Sequence, residues 1–373
     1  MNLNLEFLER MSNAFGPSGH ELEVTRIVKD YVKNFSDEVY NDKTGSLIFK
    51  IGDKGPKIML AGHVDEIGFI AVGINEKGYI SFHQIGGWWD QSLLTQRVVI
   101  KTKTGFLHRG IIVAPPPHVL DPEEQKKVLT KDKMFIDVGC KNDKEVKELG
   151  IQIGDPIVPD SKFEMIKRTQ IQKKDGKEIR KDVNILIGKA FDDRIGLFIA
   201  AEVLRKIKEE NIAHPNQLFG VATVQEEIGL RGAQTSAQMI QPEIGFALEV
   251  DISGDVPDIP KLKAPSEMSK GVSILAGDAS MIPNPRLRHF VIDIAKEFNI
   301  EYQNSVVMGG GTDAGRIHLT GSGCPSLVLG VPTRHIHSHN GILDLGDVEK
   351  AVSLLIEVIK RLDLDTVNSF TEI

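Results

Sequence analysis

The chain reads as an α/β protein interrupted by an all-β insertion, and three observations predict this. Its 373 residues amount to about two domains at roughly 150 residues each. Helical and strand-like apolar patterns alternate near both ends. Between residues 70 and 182 they give way to short apolar runs separated by Gly, Pro and charged clusters, the texture of strands and turns.

The elements follow in order. Leu5, Leu8 and Met11 recur at helical spacing until Gly16-Pro17 breaks the pattern. Ser18 followed by Glu21 has the form of a capping box, opening a second helix whose apolar stripe is Leu22, Val24, Ile27, Val28, Tyr31 and Val32. KIMLAGH, residues 57–63, is short and apolar, as a strand covered on both faces is, and IGFIAVGI follows three residues later. Within the insertion YISFHQI, RVVIKTKT, GIIVA and MFIDVG read as strands, 115–133 as a solvated loop, and Asp175-Gly176 as an exposed hairpin tip. The α/β pattern resumes after Asn184, with a helix over 196–208, a strand LFGVATV, a short helix near Arg231 and a strand IGFALEV. Helices over 287–298 and 348–362 complete it, the latter striped by Val348, Ala351, Val352, Leu355, Val358, Ile359 and Leu362.

Composition narrows the function classes. Forty-five Lys+Arg against fifty-two Asp+Glu leave a formal charge of −7, so no basic field exists to hold nucleic acid or an anionic membrane, and neither is an expected partner. The N-terminal stretch lacks a basic leader and nowhere do eighteen apolar residues run together, so a cytoplasmic protein is expected. Cys140 and Cys324 have no C-x-x-C spacing, which suits a reducing compartment and excludes a thiolate zinc site. Any metal site must use histidine and carboxylate.

In open α/β sheets ligands bind beyond the carboxyl ends of the strands, so ionisable residues just after apolar runs carry the functional signal. KIMLAGH ends in His63-Val64-Asp65, whose alternation places both polar side chains on one side, with Asp65 able to hold the imidazole; alone, H-x-D is most often a structural histidine. Asp192 and Asp193 stand between a strand and a helix start beside Arg194, where N-capping explains one acid and a carboxylate shared by two cations explains a pair. Glu226 and Glu227 follow a strand, so one can ligate metal while the other, left free, takes a proton from water. Glu249, Asp251 and Asp255 mark a fourth strand end, and His335, His337 and His339 a fifth, their period of two pointing all three one way if extended. Singly these are weak signals; together they suit a hydrolytic zinc or cobalt site with open positions for water.

The ordered motifs FGPSGHE, AGHVDEIGF, IGGWW, MFIDVG, AFDDRIG, VATVQEEIGLRGA, GGGTDAGRIH and PTRHIHS cover nearly the whole chain. In them the sequence resembles the M42 metalloaminopeptidases, which include the tetrahedral aminopeptidases and proteins formerly labelled endoglucanases. The resemblance implies an αβα-sandwich zinc-peptidase domain, phosphorylase/hydrolase-like, formed by residues 1–69 and 183–373. Residues 70–182 would be an inserted barrel-like β domain for oligomerisation and pocket shaping. It further implies two divalent ions per chain, Zn2+ or Co2+, held by His63, Asp192, Glu227, Glu249 and His337. Asp192 would bridge them, through a peptide to Asp193 that is cis in related enzymes. Asp65 would orient His63, and Glu226 would be the general base. Gly311, Thr312 and His335 would border the substrate.

Two positions depart from the family pattern. Glu249 stands where an aspartate is usual, leaving Asp251 as the alternative ligand, and His335 stands where a tyrosine is common. The expected activity is removal of the N-terminal residue from short peptides by a homo-oligomer, dimer-based and up to a tetrahedral dodecamer. Two rivals are a glycoside hydrolase, which needs two carboxyls but no histidine ligands, and a non-catalytic metal-binding relative, which has no use for Glu226.

Overall fold

The computed structural model describes residues 1–174 and 177–373. Its centre is the strand Lys57–His63, buried at every position after Lys57. Ile58 and Leu60 enter the core on one face, Met59 and Ala61 the core on the other, the period-two division of a strand covered on both sides. Gln217–Thr223 and Ile244–Ile252 flank it, both parallel, and Ser326–Arg334 lies parallel to Ile244–Ile252. These four strands form the middle of an 11-stranded sheet. On one side the sheet continues antiparallel through Leu47–Ile51 and Glu38–Asn41, and on the other through Gly341–Asp344 and the hairpin Glu164–Lys174/Lys177–Gly188. Val272–Asp278 branches from Ser326–Arg334 and carries Tyr302–Val307.

Helices cover both faces. Phe191–Glu209 and Leu345–Ile359, with Leu5–Asn13, Leu22–Val32 and Pro285–Glu297, build one core against the sheet. Arg231–Ile240 and Ala314–Ile317 build the other. Two glycines set how closely Phe191–Glu209 approaches. A Cβ on Gly196 would stand 1.9 Å from the Leu248 carbonyl oxygen, and one on Gly62 2.2 Å from the Leu197 nitrogen. That contact presses the first turn of the helix against the carboxyl ends of the parallel strands.

The insertion is a closed barrel of Gly68–Ile74, Ile80–Ile85, Phe135–Asp137, Leu107–Val113, Arg97–Lys101 and Pro156–Pro159, the last pairing back to the first. Phe69, Ile80, Phe82, Val98, Ile100, Ile112, Ile136 and Ile157 fill it. Closure pairs every strand edge, which a small all-β unit otherwise leaves open.

The structure differs from the sequence expectations in identifiable places. The barrel strands run from Gly68 to Pro159, so the expected 70–182 limits do not coincide with them. Residues 164–174 and 177–188 are part of the large sheet, because only the second half of Lys177–Gly188 is apolar and buried, and there it pairs with Gly341–Asp344. The expected tip at Asp175-Gly176 lies outside the described residues. Ser18 caps nothing: the helix Leu22–Val32 has no side-chain cap, and the Ser18 hydroxyl donates to Asp65 at 2.6 Å. The strands Val272–Asp278, Tyr302–Val307 and Gly341–Asp344 and the helix Asp143–Glu148 were not foreseen. Among the described residues no helix is long and apolar enough to cross a membrane.

Candidate active site

Parallel pairing of the central strands brings their carboxyl ends to one edge of the sheet. His63 pairs with Thr223, so Glu226 and Glu227 arise just beyond the level of the imidazole. Ala247 pairs with Ala61, which brings Glu249, two residues on, level with His63 from the other side. Asp192 enters from the close-packed helix start, and His337 from the turn after Ser326–Arg334. The peptide between Asp192 and Asp193 is cis.

Asp192 is the hub. Its Oδ1 lies 3.1 Å from His63 Nε2 and its Oδ2 3.3 Å from His337 Nε2. His63 Nε2 is also 3.6 Å from Glu226, and His337 Nε2 3.7 Å from Glu227. The second ring nitrogens face protein acceptors: His63 Nδ1 is 3.1 Å from the Asp65 carbonyl oxygen and 3.5 Å from its carboxylate, and His337 Nδ1 is 2.8 Å from the Gly87 carbonyl oxygen. Among the described residues three groups place ligand atoms within 4.8 Å of one another: His63, Asp192 and Glu249; Asp192, Glu227 and His337; and His63, Glu226 and Glu227.

Asp65 does more than face His63. Its oxygens accept the backbone N–H of Glu226 at 3.1 Å and of Glu227 at 3.2 Å, which fixes the turn carrying both glutamates. Asp193 is also fully buried and accepts from the His63 and Gly196 amides, capping the helix while its neighbour faces the cluster.

The charges do not balance among the protein groups. Burial pushes Glu226 and Glu249 well above the usual carboxylate range, and repulsion from Glu249, Glu227 and Asp313 in the first case and from Asp193 in the second adds to it. Burial, with repulsion from Asp192, raises Glu227 to about 8. Burial opposes ionisation of Asp192 and of both histidines, but their mutual hydrogen bonds win. Asp192 falls below the ordinary aspartate range, His337 rises to about 10, and His63 rises well above its ordinary value under the Glu226 charge as well. Oε1 of Glu227 and Oε1 of Glu249 are buried with no hydrogen-bond partner. Unpartnered buried carboxylate oxygens are costly, and both residues belong to the groups that the imidazole nitrogens complete. This donor set fits divalent cations.

The remaining expected residues take varied places. Asp251 accepts the Ser266 hydroxyl and belongs to none of the three groups, and Asp255 is held by Arg334 and Ser253. The three histidines after Ser326–Arg334 do not line up, because His335 and His337 take positive φ and the chain turns. His335 lines a cleft with Phe191, Thr333, Ile336 and His337, whereas His339 is buried against Trp88, the ring centroids 5.1 Å apart. Gly311 and Thr312 do not line that cleft. Thr312 donates its hydroxyl to Asp278, and Gly311 packs on Ser280.

Several contributors were invisible locally. Glu66 takes Lys189 Nζ at 2.5 and 2.7 Å and Arg194 at 3.1 Å, all buried, in the floor beneath the cluster. Arg194 also donates to the carbonyls of Val64, Met11, Ser12, Ala14 and Gly16, so it staples the N-terminal segment to the floor of the site. Glu21 accepts the Gln225 amide, and burial raises it to about 7. Asp313, buried and raised by burial to about 6, adds negative charge beside Glu226. Only the run GGGTD hinted at the last.

Comparison with known proteins agrees with this geometry. The family model described as M42 glutamyl aminopeptidase matches residues 45–354. The putative aminopeptidase FrvX of Escherichia coli (strain K12) is 34% identical over 370 residues, 99% of each chain. The crystal structure of the TET aminopeptidase from the marine sediment archaeon Thaumarchaeota archaeon SCGC AB-539-E09 superposes with a TM-score of 0.92 at 49% identity, covering 98% of both chains. The Pyrococcus horikoshii TET1 peptidase, described as assembling into a tetrahedron or a large octahedral shell, gives a TM-score of 0.81 at 28% identity, covering 96% of this chain and 99% of that one. With its large mixed sheet, its separate closed barrel and its whole-length match to these enzymes, the chain belongs to the M42 glutamyl aminopeptidase family and is a peptide hydrolase of the aminopeptidase class.

Proposed function

We propose that the protein is a dinuclear metal-dependent aminopeptidase that removes the N-terminal residue from short peptides. The observation that carries this reading is the double use of Asp192, one oxygen toward His63 and the other toward His337. Two three-residue groups, one completed by Glu249 and the other by Glu227, thereby share a single carboxylate. Glu227 and Glu249, each with a buried oxygen that has no hydrogen-bond partner, supply the remaining donors, and a histidine and carboxylate set without thiolate suits Zn2+ or Co2+. When bound, such ions polarise the scissile carbonyl and make water a nucleophile at neutral pH.

The chain's own residues do the rest. Asp65 orients His63 and anchors the two glutamate amides, so Glu226 is presented at a fixed place near His63. There Glu226 accepts a proton from the attacking water and returns it to the leaving amine. His335 and Phe191, walls of the adjoining cleft, receive the N-terminal side chain of the peptide.

Chelator-stripped protein is expected to lose hydrolysis of aminoacyl chromogenic substrates and to regain it only after two equivalents of Zn2+ or Co2+. Full activity at one equivalent would overturn the dinuclear reading. Glu249→Ala should lose an ion and activity together, whereas Asp251→Ala, whose Oδ2 accepts the Ser266 hydroxyl and which joins none of the three groups, should keep most of both.

The same reading includes a homo-oligomer assembled through the barrel, whose surface exposes Phe106, Leu107 and Ile111. The architecture described for the Pyrococcus horikoshii relative supports it. Light scattering of the purified protein should give a multiple of the dimer mass; a monodisperse monomer at micromolar concentration excludes it.

A further inference from the structure

A loop of the barrel reaches the His337 side of the site. Gly86, Gly87 and Trp88 follow the barrel strand Ile80–Ile85 and sit directly on the His337 side of the cluster. A Cβ added at Gly87 would lie 2.9 Å from His337 Nδ1, and one at Gly86 2.9 Å from Glu227 Oε2. The Gly87 carbonyl oxygen is 2.8 Å from His337 Nδ1. His337 is otherwise poorly supported: it stands in a turn at positive φ, and its side chain is 39% exposed.

The loop itself is locked. Trp88 is buried and donates its Nε1–H to the Gly68 carbonyl at 3.1 Å. Its ring stacks on Phe69 at 4.8 Å and meets His339, two residues beyond His337, at 5.1 Å. Trp88 therefore pins both partners of the Gly87–His337 hydrogen bond, the loop through Phe69 and Gly68 and the histidine turn through His339.

We propose that Gly87 and Trp88 are positioning residues for His337. The Gly87 carbonyl keeps the proton on Nδ1, so Nε2 would offer its lone pair to an ion held with Asp192 and Glu227, and Trp88 holds the two segments in that register. An imidazole whose other nitrogen is held by an acceptor is a better oriented and more basic ligand. By this arrangement the barrel supports the His337 half of the metal centre, while the His63 half is built from the sheet, the helix start at Asp192 and Asp65. The inference rests on the dinuclear reading above.

The test is calorimetric titration of metal-free full-length protein with Zn2+, comparing wild type, Gly87→Ala, Trp88→Leu, His337→Ala and, as a control in the barrel, Gly73→Ala. Gly87 is exposed and has no positive φ, so alanine there strains no backbone and meets only His337. Gly87→Ala is expected to bind about 10- to 100-fold more weakly at the class of sites that His337→Ala abolishes. The other class, and the melting temperature of the metal-free protein, should stay as in wild type and Gly73→Ala. Trp88→Leu should weaken the same class. Wild-type affinity at both classes in Gly87→Ala overturns the inference alone, and equal weakening of both classes reduces the loop to general support and overturns it as well. A wild-type protein that takes up one ion removes the dinuclear reading and this inference with it.

Discussion

Glu226→Gln is expected to lower turnover by about two to four orders of magnitude, with metal content and substrate binding near normal. Glutamine keeps the size of the side chain and its capacity to hydrogen-bond but cannot accept the proton of the attacking water. The backbone supports this conservative outcome, because the residue-226 amide stays bonded to Asp65 whatever the side chain. Glu226 also falls within 4.8 Å of ligand atoms on His63 and Glu227, so its rival role is that of a third ligand. Metal analysis beside single-turnover kinetics separates the two roles. Loss of an ion makes Glu226 a ligand, and wild-type turnover with both ions bound removes it from the chemistry.

The second large effect is expected at Asp192. Asp192→Asn should abolish measurable turnover and release both ions, whereas loss of Glu249 or Glu227 should release mainly one. The reason is geometric: each Asp192 oxygen addresses a different histidine. An amide offers one weakly donating oxygen and one NH2 and carries no charge, so both groups lose their shared anionic member. Zinc or cobalt analysis of the purified variant, with thermal melting to show that it is folded, checks this. A variant that retains two ions would mean that the groups do not depend on a shared carboxylate.

Much of the site was legible because strands are short and their ends are chemically conspicuous. KIMLAGH, LFGVATV and IGFALEV are short, mainly apolar runs of the kind a sheet covered on both faces carries, and at or just past their ends stand His63, Glu226-Glu227 and the acids beginning at Glu249. The ordered motifs then implied roles for them. Local pattern misled where a distant partner outcompeted a local one. Ser18 has the spacing of a cap but gives its hydroxyl to Asp65, 47 positions away. The regular spacing of His335, His337 and His339 assumes extended backbone, and positive φ at the first two turns His339 into the barrel interface instead.

Taken alone, the sequence determined the chemistry available: an α/β framework with an all-β insertion, a donor set of histidine and carboxylate without thiolate, and no basic field for nucleic acid. These follow from residue type and period, which are local properties. Only the tertiary structure decided which donors meet. It put Glu249 rather than Asp251 level with His63, through the pairing of Ala247 with Ala61, and it assigned residues 164–174 and 177–188 to the large sheet instead of the barrel. It also buried Glu66, Lys189 and Arg194 together and set Gly87 against His337, across separations of 123 and 250 residues in the Lys189–Glu66 and Gly87–His337 contacts. Strand register and the approach of helix to sheet are set by packing summed over the whole chain, so no window of the sequence contains them.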